Sequence, residues 1–316
     1  MEKIVVIGAG VAGLSAAVRL QKSGYNVHLY EKETQVGGKM NQIKQKGFTF
    51  DIGPTIVMMP EIYQEIFTFC KRDPEEYIPM KKVEPMLELF FREDAPLLFS
   101  SDLTELTKTL EAISEEEAQG YFHFLADIYK RYTIAKKHFI TQSFRGFWDF
   151  YNPKSLYAGL RLRTFNDAYS SISKFVKDDR LRKSLAFQTL YIGVSPYQSP
   201  SLYTMIPMIE LFYGIHFIKG GMYTLATSLD RLFAELGGNR HYATPVEEIV
   251  IENKVTTGIK VNGEFVAADA VVCGADFPYA MEKLIPDENK RGKYSNKKNC
   301  RDGLFLLMFS TLFGIR

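Results

Sequence analysis

The spacing of apolar residues changes period several times along this chain, and each change predicts an element. Residues 4–7, Ile-Val-Val-Ile, form a short β-branched run ending at glycine, as expected of a parallel strand buried on both faces. Leu14, Ala17, Val18 and Leu20 then recur at helical spacing, and Ser23-Gly24 supplies a stop that tolerates a left-handed backbone. A second strand, Val27-His28-Leu29-Tyr30, ends on Glu31. A helix is predicted over 61–71, with Ile62, Ile66, Phe69 and Cys70 on its inner side. Ser114 with Glu117 reads as a capping box that opens a long helix through Phe122, Leu125, Tyr129 and Tyr132. Leu225, Leu229, Leu232, Phe233 and Leu236 mark a further helix stopped by Gly237-Gly238. Stretches 246–251, 258–261, 265–267 and 270–273 read as strands, with turns at Asn253 and Asn262-Gly263.

The turn between the first strand and helix carries the first chemical signal. In Gly8-Ala9-Gly10-Val11-Ala12-Gly13-Leu14, the first glycine permits a tight turn and the second lets backbone approach a pyrophosphate. The third lets the helix sit close to the sheet. A pyrophosphate would rest on the free amides and positive dipole end of that helix. Glu31 is placed to accept hydrogen bonds from the adenosine ribose, and its charge would repel a 2'-phosphate, leaving FAD or NAD as the ligand. NAD dehydrogenases usually continue into another βα unit. Here a polar stretch beginning with Lys32 leads instead to Val36-Gly37-Gly38-Lys39, and then to Gly47-Phe48-Thr49-Phe50-Asp51-Ile52-Gly53-Pro54-Thr55. The glycine pair and its lysine would bring amides and a positive charge to the same dinucleotide.

This layout resembles the flavin-dependent amine oxidase and phytoene desaturase superfamily. Within it, GFTFDIGPTIVMMP, LAFQTLYIG, PSLYTMIPMIE and HFIKGGMY resemble the bacterial dehydrosqualene (4,4'-diapophytoene) desaturases, with similarity running from residue 3 to about 295. The resemblance implies an α/β fold: a Rossmann-like FAD-binding domain with an inserted α+β substrate domain and the C-terminal part missing. It places the first part of the FAD domain at 1–73, the insertion at 74–218 and the return at 219–298. Candidate cofactor contacts are Gly8 to Leu14, Glu31, Lys32, Gly37, Gly38, Lys39, Gly53, Pro54, Thr55 and, through its backbone beside the adenine, Val246. The implied reaction is dehydrogenation of 4,4'-diapophytoene toward 4,4'-diaponeurosporene. The alternatives are a carotenoid terminal-methyl oxidase of the same fold and an inactive nucleotide-binding fragment. No residue declares itself as a catalytic proton acceptor.

Composition narrows the field without altering that picture. The chain has 316 residues, 46% hydrophobic and 24% charged, enough for two domains with a substantial core. A net charge of +2 argues against a nucleic-acid partner. Five histidines lack metal-ligand spacing, and no Gly-x-Ser-x-Gly elbow occurs. Cys70, Cys273 and Cys300 fit reduced thiols, and the chain opens directly on a strand, so a cytoplasmic location is expected.

Residues 128–165 hold eight lysines and arginines against Asp149 alone, interleaved with aromatic rings. That mixture suits a peripheral membrane surface, and equally a solvated basic face beside core aromatics. The apolar run 202–218, broken by Pro207, Glu210, Gly214 and His216, reads as tunnel lining, a shallowly dipping helix or plain core. The implied partners are an apolar isoprenoid, a membrane surface and other carotenoid-pathway enzymes.

The resemblance stops abruptly after Lys297-Lys298. With suitably chosen codons, the tail read one nucleotide later becomes KIAEMDYSCSCFLLYLGL, which resembles the family's continuation. A single-nucleotide slip in an adenine run near Lys297 to Asn299 is therefore expected, making 299–316 an aberrant tail. Each Leu or Phe face left unburied would forfeit roughly 1.5–3 kcal/mol. Poor solubility and weak flavin retention are expected on that ground.

Overall fold

The computed structural model describes residues 1–92, 94–140, 151–162 and 166–294. The chain divides into two compact units, Met1–Lys81 with the described residues from Phe217 onward, and Lys82–His216.

The first unit opens with β1 (Lys3–Ile7), α1 (Val11–Lys22) and β2 (Asn26–Tyr30). The hairpin β3 (Asn41–Gln45) and β4 (Phe48–Ile52) follows, then β5 (Val57–Met58), α2 (Pro60–Phe69) and β6 (Met80–Val83). Val5, Val6, Val27 and Leu29 are fully buried, as the continuous apolar strands require. Helix α2 turns differently from the expected face. Phe67 is fully buried with Ile66 and Cys70, whereas Ile62 and Phe69 are 45% and 44% exposed. Phe69 instead lies under the Arg19 guanidinium, 5.1 Å from its ring centre.

The second unit contains β7 (Leu87–Leu89), β8 (Leu97–Phe99), α3 (Leu103–Glu111), α4 (Glu115–Ala135), α5 (Pro153–Arg161), α6 (Ala168–Ile172), α7 (Asp179–Phe187) and α8 (Met205–Tyr213). Its core gathers Leu106, Leu110, Tyr121, Phe124, Ile128, Leu181 and Met208. Only half of the expected capping box forms. Ser114 Oγ accepts from the Glu117 amide at 3.1 Å, but the Glu117 carboxylate accepts from the Lys177 amide at 2.9 Å instead of closing the box. On α4, Leu125 and Tyr132 are buried, while Phe122 and Tyr129 are exposed.

The apolar run 202–218 is not one segment. It breaks at Gly214 (φ 73°) into α8 and β9 (Ile215–Ile218), the strand by which the chain returns to the first unit. Strands β5, β9 and β6 form one sheet in that order. Helix α9 (Tyr223–Glu235), β10 (Asn239–His241), the meander β11 (Val246–Glu252), β12 (Val255–Val261) and β13 (Glu264–Ala267), and β14 (Ala270–Cys273) complete the architecture. The main sheet runs β10-β2-β1-β14, all parallel. Asn253, Asn262 and Gly263 take the positive φ expected of the two turns.

Glu210 on α8 is 1% exposed. One of its oxygens accepts from the Gln188 amide, while Glu210 Oε1 and Gln188 Oε1 have no hydrogen-bond partner. Burial pushes its carboxyl up to about 7, against opposing hydrogen bonds from Tyr191 and Gln188. Protonation turns a pure acceptor into a donor, which suits a pocket short of donors. The folded chain thus keeps a proton that an unfolded glutamate releases near 4.5. This contribution therefore lowers stability as pH rises from about 4.5 through about 7, by about 3 kcal/mol in total. Glu210→Gln should remove that component. Denaturant unfolding of both proteins at pH 5 and pH 8 checks it, and an unchanged pH difference in the variant would refute the assignment.

Candidate functional site

Three backbone segments meet at the carboxyl end of the parallel sheet. Gly8, at φ 94°, turns the chain out of β1 and donates to Tyr30 O at 2.8 Å. A Cβ added at Gly13 would lie 1.9 Å from Gly8 O, so α1 reaches the turn only because that position has no side chain. Gly274, just after β14, donates to Ile7 O at 2.8 Å, and a Cβ there would come within 3.3 Å of the Gly13 backbone.

Gly10 behaves differently. It is the N-cap of α1, without a side-chain cap and with no acidic residue in the first turn. An added Cβ at Gly10 would meet nothing within 4 Å. The helix N-terminus therefore faces open space with no side-chain acceptor, an arrangement that can receive an anion. Ala9 is fully buried, and Val11, Ala12 and Leu14 continue into α1.

Glu31, 7% exposed, closes one side of this cradle. Its carboxylate accepts from the Ala9 amide at 2.6 Å and the Glu33 amide at 2.9 Å. These two bonds leave lone pairs for two further donors. Glu31 also bonds through its backbone to His241 O and Thr244 N at 2.9 and 2.8 Å, which brings the start of β11 and Val246 to the same edge. Val246 packs in one buried cluster with Tyr30, Val5 and Ile7. The neighbouring imidazoles of His28 and His241 are 3.1 Å apart, and burial, with help from Lys3, holds both below the usual histidine range. Lys32 lies apart, exposed and 3.7 Å from Glu33.

The glycine pair stacks on the first loop. Gly37 donates to Ala9 O at 2.9 Å, and a Cβ at Gly38 would sit 3.3 Å from the Gly10 Cα. Lys39 points outward to Asp276, at 2.9 Å, just after β14. A Cβ at Gly53 would lie 2.6 Å from Lys39 O, while Pro54 and Thr55 remain exposed.

Sequence reasoning assigned no role to Asp51, Gln42, Gly221 or Gly274. The Asp51 carboxylate accepts from the Gln42 side chain at 2.9 Å and the Met222 amide at 3.0 Å, and a Cβ at Gly221 would fall 2.2 Å from it. It thereby braces the entry to α9. The only signal for these contacts was the pair of motifs GFTFDIGP and HFIKGGMY, whose residues touch across 170 positions of chain. Among the described residues no metal-holding cluster occurs. The basic and aromatic positions in 141–150 and 163–165, and the tail with its expected slip, lie outside the described residues.

A parallel sheet with a glycine turn, an uncapped helix N-terminus and a buried acid after the second strand defines a dinucleotide-binding α/β protein. A family model described as flavin containing amine oxidoreductase matches residues 11–298, and the chain belongs to that family. It is 46% identical over 297 residues to 4,4'-diapophytoene desaturase (4,4'-diaponeurosporene-forming) of Staphylococcus haemolyticus, covering 93% of this chain and 59% of that protein. It is 45% identical over 298 residues to the Staphylococcus aureus protein of the same name, covering 94% and 59%. The chain thus spans about 59% of the length of these curated relatives. Solved structures share the fold. An oxidoreductase from Methanosarcina mazei aligns with TM-score 0.61 at 18% identity, over 93% of this chain and 64% of that one. Putrescine oxidase bound to putrescine aligns at 0.58 and 16%, over 90% and 60%. The cofactor of this family is FAD, and the open space at Gly10 fits a dinucleotide.

The two glycines separate fold from ligand. Gly10→Ala should leave thermal unfolding within about 0.5 kcal/mol of the parent, since the added methyl meets no protein atom. It should weaken FAD binding at least about tenfold by intruding where the backbone must approach the ligand. Gly13→Ala should destabilise the fold itself. Calorimetry alongside FAD titration checks both, and a Gly10→Ala variant with parental FAD affinity would contradict the cradle.

Proposed function

We propose that the protein to which this chain belongs dehydrogenates 4,4'-diapophytoene stepwise toward 4,4'-diaponeurosporene, using FAD, as a cytoplasmic protein resting peripherally on a membrane. The observation that carries the reading is the 45–46% identity to proteins so named, extending over 93–94% of this chain.

In this reading the amides of Ala9 to Gly13 and the N-terminus of α1 hold the pyrophosphate, and the remaining lone pairs of Glu31 accept the ribose hydroxyls. Gly37 and Gly38 let a second backbone segment close over the dinucleotide. Lys39, Gly53, Pro54 and Thr55 line the exit of that segment, and the Val246 backbone flanks the adenine. Lys32, exposed and paired with Glu33, contributes charge at the rim. Bound there, FAD would supply a two-electron hydride acceptor for removal of hydrogen from an allylic carbon, the adjacent carbon giving up its proton to solvent as the double bond forms. A hydrocarbon offers no group for a side-chain base to grip, so the protein's part is to position the chain and exclude water.

Peripheral attachment is supported by exposed apolar surface next to basic residues on α5, where Leu156 and Tyr157 are 51% and 64% exposed. No helix among the described residues is long and apolar enough to cross a membrane.

The test is reconstitution of the full-length protein to which this chain belongs with FAD, then anaerobic incubation with 4,4'-diapophytoene in liposomes and a quinone acceptor, with chromatography of the extract. Retained flavin absorbance and longer-wavelength polyene products are expected. Oxygenated end groups would replace this reading by a terminal-methyl oxidase, and flavin uptake without product would reduce it to nucleotide binding.

A further inference from the structure

Beyond the cradle, the described surface holds a hollow between the end of α4 and α5. Its volume is about 160 Å³, and Ile134, His138, Lys154, Tyr157, Ala158 and Arg161 line it. Ile134 belongs to α4, His138 to the wider turn that continues it over Lys136–Ile140, and the other four to α5. Lys154, Ala158 and Arg161 fall at helical spacings of four and three, so one face of α5 presents two cations around a small apolar residue. None of His138, Lys154 and Arg161 has an acidic partner within ion-pair distance among the described residues, whereas many other surface cations of the chain do. Arg161 instead stands 6.0 Å from the Tyr157 ring centre, which fixes it at the rim of the hollow.

Basic side chains gathered without counter-charge attract an anion, and the floor of Ile134 and Ala158 is apolar. A free inorganic anion would use the rim and leave that floor bare. An amphiphile uses both, and Tyr157, which lines the hollow, is 64% exposed and offers further apolar surface at its edge.

We propose that this hollow binds the phosphate headgroup of an anionic phospholipid, with the glycerol carbons on Ile134 and Ala158 and the phosphate among His138, Lys154 and Arg161. The inference rests on the peripheral membrane attachment proposed above and gives it a specific lipid chemistry.

The experiment uses the full-length protein to which this chain belongs, with bound FAD, sedimented with phosphatidylcholine vesicles with and without phosphatidylglycerol. Binding only to the anionic vesicles is expected. Lys154→Ala combined with Arg161→Ala should weaken it roughly 30-fold, about fivefold for each charge withdrawn from an anionic surface. Lys154→Arg combined with Arg161→Lys should keep it. Lys22→Ala combined with Lys44→Ala, which removes the same charge from the other unit, should change it by less than about threefold. Circular dichroism and flavin content verify that each variant is folded. Absence of vesicle binding by the parent protein would overturn the membrane reading itself. Parental binding that survives in the Lys154/Arg161 double variant, or falls equally in the Lys22/Lys44 one, would overturn this site alone. Release from vesicles by inorganic phosphate at matched ionic strength would reassign the hollow to a free anion and overturn the lipid.

Discussion

The close approach of α1 to the turn after β1 governs both the fold of the first unit and its chemistry. The backbones at Gly8, Gly13 and Gly274 converge where no Cβ fits between Gly13 and Gly8 O, so the helix N-terminus is carried to the end of the sheet and aimed outward. A larger residue at position 13 would push the helix back and withdraw the amide donors with it. Glu31 adds a second restraint. Its carboxylate, bonded to the Ala9 amide at 2.6 Å, ties the end of β2 to the middle of that turn. A charge-assisted bond of this kind is worth about 1.5–3 kcal/mol, enough to couple the geometry of the glycine turn to the position of the Glu31 carboxylate. The acid therefore shapes the cradle before any ligand arrives.

What could be read from residues alone follows the range of the interactions involved. Strand β1, helix α1 and strand β2 were legible because their signals are local: a β-branched run, a helical stripe and glycines at fixed offsets. The turns at Asn253 and Asn262-Gly263 were legible for the same reason. The face of α2 was not, because Ile62, Ile66, Phe67 and Phe69 make the helix apolar on several sides. Choosing among them needs the position of Arg19, which draws Phe69 outward. Glu117 fitted a capping box by spacing, yet the amide of Lys177 outcompeted the local partner. The run 202–218 looked continuous because hydropathy does not register the positive φ at Gly214 that converts helix into strand.

The site divides along the same line. The glycine turn and Glu31 announce themselves within forty residues, whereas Asp51 acquires its role only when Gly220-Gly221 returns beside it. Gly221 cannot bear a Cβ because the Asp51 carboxylate occupies that space, so the two motifs are halves of one brace. Nothing in the spacing of either half states that dependence. Strand β14 poses the same problem. It follows an antiparallel meander in sequence but pairs parallel with β1, and this places Gly274 and Asp276 at the cradle.

The second unit meets a different constraint, set by polar groups in its interior. Ser184, Thr189 and Thr204 are buried and turn their hydroxyls back onto carbonyls three or four residues earlier, at 2.7, 2.8 and 2.6 Å. Such back-bonding satisfies the hydroxyl without contributing a contact between elements, and it favours short, bent helices. The segments there are correspondingly brief, with single turns over Gln188–Ile192 and Ser201–Thr204 and a nine-residue α8. Glu210, most stable as a neutral acid, lies among them and withholds the strong pairing that a charge would supply. Leu181, Leu185, Met208 and Leu211 still pack into the apolar core of this unit, so the locally satisfied hydroxyls sit beside that core and add no bonds across it. In a unit proposed to admit a long hydrocarbon, a neutral Glu210 and self-satisfied hydroxyls lower the desolvation cost of apolar contact, because an uncharged group gives up less hydration than an ionised one.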